Sequence, residues 1–375
     1  MNAAILFTIH GSLEEIYKKT CGDLSRVNEF LLLKKFSKRF DKVYVFSDDK
    51  RDCSHFLPEN CIHIRLINSL IYILFGWIVF QYYTRKNNIT IAYLVGAPAL
   101  PLIFLKNFIN IITVLDYNYL WYKSYEYDVN LHLKSKIKKN YIVSKIIRHF
   151  EKFLVNNFVD FIVLGTKEAN EIIDDKNKIL PIKKGLILKY FNPEKVKKHR
   201  IYKIIRGNTL VFVGRLVPIK DPITLLKAYK IAKNRIKNLN LIICGDGELK
   251  KECEKIADEN VYFLGFIKDI PSILKGADIF VLTSVQDASP RSLLEAMAMG
   301  KPCIATDVGG VRDYLEDCGV IVEPKNPEKL AEAIIYLVEN KDIAERLGRK
   351  AREKVLREHD LSRNIDREIE MILGA

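Results

Sequence analysis

The seven cysteines (Cys21, Cys53, Cys61, Cys244, Cys253, Cys303 and Cys318) are odd in number and never spaced as Cys-x-x-Cys. That argues against a disulfide framework and a zinc cluster, and for a reducing compartment. The opening stretch MNAAILFTIHGS has no basic residue ahead of its apolar run, so it does not read as a secretory signal. No Asp-x-Asp occurs anywhere, which removes the obvious carboxylate clamp for a divalent metal. Helix-turn-helix, zinc and RNA-binding aromatic signatures are also lacking. There is no repeat of fixed period and no low-complexity tract.

What is there is a globular composition. Hydrophobic residues make up 49% and charged residues 28% of 375 positions, a length that suits two domains of ordinary size. A net charge of +14 favours anionic partners such as nucleic acid, lipid headgroups or nucleotide diphosphates, or is simply a solvated basic surface. Asn88-Ile89-Thr90 matches a glycosylation acceptor, a chance match in a cytosolic protein.

Short β-rich apolar runs alternate with helical stretches, the pattern of parallel sheets covered by helices. In the first half the expected strands are Ala3–Thr8, Val43–Phe46, Ile62–Leu66, Ile89–Leu94, Ile111–Leu115 and Phe161–Leu164. Helices are expected between them at Ser25–Phe40, Ser69–Arg85, Pro98–Phe108, Ile137–Phe158 and Lys167–Asp174. The pattern breaks over Ile179–Arg206, which carries Pro181, Gly185, Pro193 and many lysines and reads as a linker. It restarts with strands at Thr209–Val213, Leu239–Cys244, Val261–Phe263, Ile279–Leu282, Cys303–Thr306 and Gly319–Val322. Helices accompany these near Pro222–Ile236, Glu248–Glu259, Arg291–Met299 and Glu328–Glu339, and two more close the chain, the last from Arg363 after Ser362 as N-cap. Leu66–Tyr83 is uncharged for about the length of a membrane span, but its Asn68, Ser69, Gly76 and Gln81 and its place between two strands of one sheet favour a buried or membrane-facing helix.

Five segments carry chemistry. In Thr283-Ser284-Val285-Gln286-Asp287-Ala288-Ser289-Pro290-Arg291-Ser292, a polar loop follows a strand and a helix begins near Pro290 or Arg291. Its free amides (Arg291, Ser292) would stabilise an anion, while Asp287 and, one turn into the helix, Glu295 suit hydroxyl groups. The alternative is that Leu293, Leu294, Ala296 and Met297 are core and Glu295 is a solvated or capping acid. In Val213-Gly214-Arg215-Leu216, followed by Lys220 and Asp221-Pro222, two cations stand at a strand end where a helix dipole disfavours them, so an anionic ligand or plain exposure accounts for them. Gly245-Asp246-Gly247 is a tight turn lacking the third glycine of a dinucleotide fingerprint. Leu264-Gly265-Phe266-Ile267 and Asp307-Val308-Gly309-Gly310 are further strand-end turns that face a ligand or merely reverse the chain.

Taken in this order, Gly214-Arg215-Leu216 with Lys220-Asp221, Gly245-Asp246-Gly247, Leu264-Gly265-Phe266, Asp287 with Glu295-Ala296-Met297-Ala298, and Gly309-Gly310 resemble glycosyltransferase family 4, the retaining group 1 glycosyl transferases. The likeness is strong over Thr209–Val322 and only general before it. It implies an α/β fold of the GT-B type: two Rossmann-like parallel-sheet domains facing a central cleft, with the C-terminal helix crossing back to the first. Residues 1–185 would form the acceptor domain, 186–360 the nucleotide-sugar donor domain, and 361–375 the returning helix. The resemblance implies that Arg215 and Lys220 hold the donor diphosphate and Glu295 the ribose. Asp287, with the backbone of Ala288, Ser289, Pro290, Arg291 and Ser292, would hold the transferred sugar. Gly214, Gly245, Gly247, Phe266 and Ile267 would line the donor, and Gly11 and Ser12 would approach the sugar from the first domain.

Three departures from the family pattern stand out: Asp287 in place of the usual glutamate, Leu115 where many relatives carry a histidine, and an N-terminal glycine loop reduced to Gly11. The implied donor is a nucleotide-diphosphate sugar and the acceptor a glycan or lipid-linked saccharide, with neither cofactor nor metal required. Tyr117–Arg148, rich in aromatics and then lysines, suits an anionic membrane surface, or a lid loop and a solvated helix. The implied location is cytoplasmic, peripheral to the membrane face, with no nucleic acid bound. A hydrolase or epimerase of similar fold, and a basic nucleic-acid-binding protein, are the alternatives.

Overall fold

The computed structural model describes residues 1–6, 28–47, 54, 57–65, 69–95, 111–117, 141–164, 170–287 and 289–374. The chain divides into two compact units, Met1–Lys184 with Leu361–Ala375, and Gly185–Asp360.

Unit 1 holds a seven-stranded sheet of β1 (Asn2–Leu6), β2 (Lys42–Ser47), β3 (Cys61–Arg65), β4 (Ile89–Val95), β5 (Ile112–Tyr117), β6 (Phe161–Leu164) and β7 (Ile179–Leu180), in the order β3-β2-β1-β4-β5-β6-β7. Every pairing is parallel. Successive strand residues point to opposite faces, so near-continuous apolar runs feed two cores at once. Ala4, Leu6, Tyr44, Phe46, Leu94 and Leu115 meet α2 (Ser69–Asn87) and α3 (Tyr141–Phe158). Ala3, Ile5, Val43, Val45, Ile91 and Tyr93 meet α1 (Asn28–Arg39) and the last helix, Leu361–Leu373.

Unit 2 repeats the plan with six parallel strands, β8 (Asn208–Val213), β9 (Leu239–Cys244), β10 (Val261–Gly265), β11 (Ile279–Leu282), β12 (Cys303–Thr306) and β13 (Val320–Val322), ordered β10-β9-β8-β11-β12-β13. One face is covered by α4 (Pro222–Arg235), α5 (Lys250–Ile256) and α9 (Pro327–Glu339). The other is covered by α6 (Ile270–Gly276), α7 (Arg291–Ala298), α8 (Val311–Leu315) and α10 (Lys341–Glu358). The final helix, Leu361–Leu373, is α11. On α4, Leu225, Leu226 and Tyr229 are fully buried, and side chains of this kind contribute about 1.5–3 kcal/mol each.

Several elements differ from the sequence reading. Helix α11 begins at Leu361, so Ser362 lies inside it rather than ahead of its first turn. Asp360 bridges to Leu186 in parallel fashion, and the chain passes from that bridge straight into the helix. The supposed linker opens as β7 and continues through two short 3-10 segments, Leu188–Tyr190 and Arg200–Lys203. Helices α6 and α8, seven and five residues long, are too short to display a helical period in sequence. The expected helix Pro98–Phe108 lies outside the described residues, as do residues 167–169 of Lys167–Asp174, whose described part is not α-helical. Helix α2 lies between β3 and β4, and no helix among the described residues is long and apolar enough to cross a membrane.

Candidate functional site

In unit 2 the strand order reverses between β8 and β11: β9 and β10 extend one way, β12 and β13 the other. Doubly wound sheets bind ligands in the crevice outside the strand carboxyl ends at such a reversal. The residues singled out in the sequence follow these two strands.

Beyond β8, β9 and β10 the turns are stitched together. The Gly214 amide donates to Cys244 at 3.0 Å, Gly245 to Gly265 at 2.7 Å, Leu216 to Asp246 at 2.9 Å and Leu249 to Leu216 at 2.9 Å. A Cβ on Gly245 (φ +145°) would lie 1.9 Å from the Gly214 carbonyl oxygen, and one on Gly247 2.4 Å from that of Leu216. The glycines therefore let two ligand-facing turns lie backbone to backbone. Arg215 projects from this frame, exposed and without a hydrogen bond or ion pair among the described residues. Phe266, just beyond Gly265, is 77% exposed, while Ile267 packs against the core.

Lys220 ends a 3-10 turn, Pro218–Lys220, and Asp221 follows in the left-handed region (φ +44°). Aspartate tolerates that conformation better than most residues. Here Asp221 caps α4, accepting from the Thr224 amide at 3.1 Å and the Thr224 hydroxyl at 2.7 Å, with Pro222 opening the helix. This fixes the backbone at Lys220, whose ammonium pairs with the Asp287 carboxylate.

Asp287 is held from the β11 side. Thr283 and Ser284 follow the strand fully buried, and their hydroxyls have partners, as buried polar groups must. Thr283 Oγ1 donates to the Lys220 carbonyl at 2.8 Å, and the Val285 amide to Ile219 at 2.8 Å. Ser284 Oγ donates to Asp287 Oδ2 at 3.2 Å, and Thr306 Oγ1, from the end of β12, donates to the Ser284 carbonyl at 2.5 Å. The Gly310 amide reaches the Asp287 carbonyl at 3.4 Å.

Helix α7 begins after a buried Pro290. Its first bonds run from Leu293 and Leu294 to the Pro290 carbonyl, at 3.1 and 3.2 Å, which leaves the amides of Arg291 and Ser292 unengaged by the helix. Leu293, Leu294, Ala296 and Met297 are core. Glu295 is neither a solvated acid nor a cap: its side chain is 13% exposed and accepts from Arg291 Nε at 3.2 Å. Burial raises its pKa above the ordinary carboxylate value, against the opposing pull of the Arg291 guanidinium. Ser289 Oγ and the hydroxyl of buried Tyr314 lie 3.0 Å apart, which ties this loop to α8.

The site thus gathers two ion pairs, Lys220–Asp287 and Arg291–Glu295, an Arg215 unpaired among the described residues, and a helix start at one strand reversal. Gly11, Ser12 and Ala288 lie outside the described residues. Leu115 is fully buried in the unit 1 core, so that position presents nothing to a ligand. Sequence reasoning assigned no role to Thr283, Ser284, Thr306 or Tyr314. For Thr283, Ser284 and Thr306 the available signal was a hydroxyl at or just beyond the end of a buried apolar strand, where a partner is obligatory.

Residues 192–354 match the family model described as glycosyl transferases group 1. An Escherichia coli UDP-Gal:alpha-D-GlcNAc-diphosphoundecaprenol alpha-1,3-galactosyltransferase is 29% identical over 52% of this chain and 54% of its own. A Staphylococcus aureus poly(ribitol-phosphate) alpha-N-acetylglucosaminyltransferase is 27% identical over 55% of this chain and 46% of its own. The chain thus spans about half the length of these curated relatives. The crystal structure of Anabaena Alr3699/HepE in complex with UDP superposes with a TM-score of 0.77 at 17% identity, over all of both chains. That likeness shows the fold, GT-B, with two Rossmann-like parallel-sheet domains.

Proposed function

We propose that this chain, whose residues 192–354 match the group 1 glycosyl transferase model, moves a sugar from a nucleotide-diphosphate sugar to a glycan or lipid-linked acceptor with retention of anomeric configuration. The observation that carries this reading is the convergence of Arg215, Lys220 and the unengaged amides of α7 with Asp287 and Glu295 at the β8/β11 reversal. Cations and amides seat a diphosphate, and carboxylates accept hydrogen bonds from hydroxyls.

In the reaction, the bond between the anomeric carbon and the phosphate oxygen breaks. The acceptor oxygen bonds to the same face of the sugar. Negative charge grows on the departing diphosphate, where Arg215, Lys220 and the Arg291 and Ser292 amides stabilise it. A fixed donor of this kind is typically worth about 10²–10³ in rate. An oxygen of the leaving phosphate takes the acceptor proton, so no protein base is needed. Glu295 receives the ribose hydroxyls, and Asp287 those of the transferred sugar. The lack of Asp-x-Asp in the sequence supports metal-independent transfer.

The lipid-linked acceptor draws support from α3. Ile146, Phe150 and Phe153 are 62%, 42% and 49% exposed and lie along one stripe, flanked by Lys145, Arg148 and Lys152. An apolar stripe with cationic borders suits an anionic membrane surface at the cytoplasmic face. Flotation with anionic vesicles is expected to carry the protein, and Ile146→Ser with Phe150→Ser to abolish it.

The test of the central reading is transfer from a panel of nucleotide sugars, beginning with UDP-linked ones. Lys220→Ala and Glu295→Ala are expected to reduce transfer at least 100-fold while the protein remains folded. Near-normal transfer by either folded variant would defeat the assignment.

A further inference from the structure

We infer that the Lys220–Asp287 pair is a charge gate that makes this site favour an intact nucleotide sugar over the nucleoside diphosphate left after transfer. The inference rests on the donor-site reading above and adds a selectivity to it. Lys220 and Arg215 stand on the same β8–α4 connection yet differ in state. Arg215 is exposed and unpaired among the described residues, whereas Lys220 and Asp287 are paired with side chains only 22% and 11% exposed.

The loops bearing the pair cannot simply part to admit a ligand. Thr283 Oγ1 holds the Lys220 carbonyl, the Val285 amide holds Ile219, and Thr306 anchors Ser284, which in turn donates to Asp287. A phosphate that reaches Lys220 therefore competes with Asp287 in place. If it displaces the carboxylate, a largely buried charge loses its cation and keeps, among the described residues, only the Ser284 hydroxyl, a costly state. If the carboxylate stays, it repels the phosphate.

An intact donor resolves the conflict because it brings hydroxyl donors next to its phosphate. Those hydroxyls satisfy Asp287 as Lys220 turns to the diphosphate. A bare diphosphate offers no such exchange. Arg215 thus attracts any diphosphate, while Lys220 responds only when a sugar occupies Asp287. Once the sugar has left, the carboxylate retakes Lys220 and helps release the product.

Calorimetric titration with UDP and with UDP-glucose tests this on the full chain. Asp287→Asn is nearly isosteric and frees Lys220. It is expected to bind UDP roughly five- to tenfold tighter than the unmodified protein, as one charge-assisted contact is regained. The same variant is expected to lose the unmodified protein's preference for UDP-glucose over UDP. A second variant, Lys220→Met with Asp287→Asn, removes the pair without leaving an uncompensated charge, and is expected to bind UDP within about twofold of the unmodified protein. UDP binding by Asp287→Asn that is unchanged or weaker overturns the gate, as does a large loss in the double variant. If the unmodified protein binds no nucleoside diphosphate or nucleotide sugar in a thermal-shift panel, the donor-site reading itself has failed.

Discussion

Both units bury acidic side chains against their sheets, and the partners chosen for those acids differ. In unit 1, Glu368 of α11 is 4% exposed and accepts a 2.6 Å hydrogen bond from the Tyr93 hydroxyl, with the Lys184–Asp116 ion pair close by. Burial pushes its pKa up to about 7, with Asp116 adding to the rise and Tyr93 and Lys184 opposing it. In unit 2, Asp287 and Glu295 keep a water-facing edge and are matched to cations, Lys220 and Arg291. A phenol that seals a carboxyl leaves nothing for a ligand to replace. A cation at a surface-facing crevice is a partner that a phosphate can compete for. The first arrangement makes stability depend on pH, and the second makes binding depend on charge.

The sharpest way to break this contrast is Arg215→Met. Because the Arg215 side chain is exposed and makes no hydrogen bond or ion pair among the described residues, its loss is expected to reduce sugar transfer about 100-fold or more without lowering the melting temperature. Calorimetry and initial rates on one preparation check both halves.

Glu368→Gln tests the sealed acid. The native state holds a proton on Glu368 between the ordinary value of 4.5 and about 7, so that group's contribution makes stability fall as pH rises through that window. The amide is therefore expected to stabilise the protein above pH 7, by on the order of 3 kcal/mol at most, and to change little near pH 4. Nucleoside diphosphate affinity is expected to be unaffected. Melting curves at the two pH values decide the matter.

A subtler probe is Arg291→Gln. Glu295 is already raised by burial and pulled back by Arg291, so removing the guanidinium shifts the carboxyl higher still. The acid limb of donor binding, where Glu295 loses its charge, is expected to move to higher pH, as titrations across the acidic range would show. Last comes Asp221→Ala, which removes the α4 cap and places alanine at a positive φ. It is expected to cost about 1 kcal/mol or somewhat more in chemical denaturation.

How much of this was visible in the chain itself varies by element. The inner strands of unit 2 were legible because they are short runs buried on both faces, bounded by glycine or polar turns, as in Leu239–Cys244 and Cys303–Thr306. Arg215, Lys220, Asp287 and Glu295 were legible as residues of the right chemistry at strand ends. Their partners were not. Lys220 and Asp287 are 67 positions apart and meet only because β8 and β11 are neighbours. The hydroxyls of Thr283, Ser284 and Thr306 look like ordinary loop residues until the turns are folded together. Helices α6 and α8 escaped notice because one or two turns show no period.

Sequence alone determined that the chain forms two doubly wound α/β units, since alternating apolar runs and amphipathic stretches bury themselves stably in few other ways. It also determined which charged residues follow which strands. Only the tertiary structure decided that Lys220 is already matched while Arg215 has no partner among the described residues, and that Glu295 is sunk beside Arg291. Those outcomes depend on distances across a sheet and on water excluded by distant parts of the chain, quantities that no local run of residues encodes.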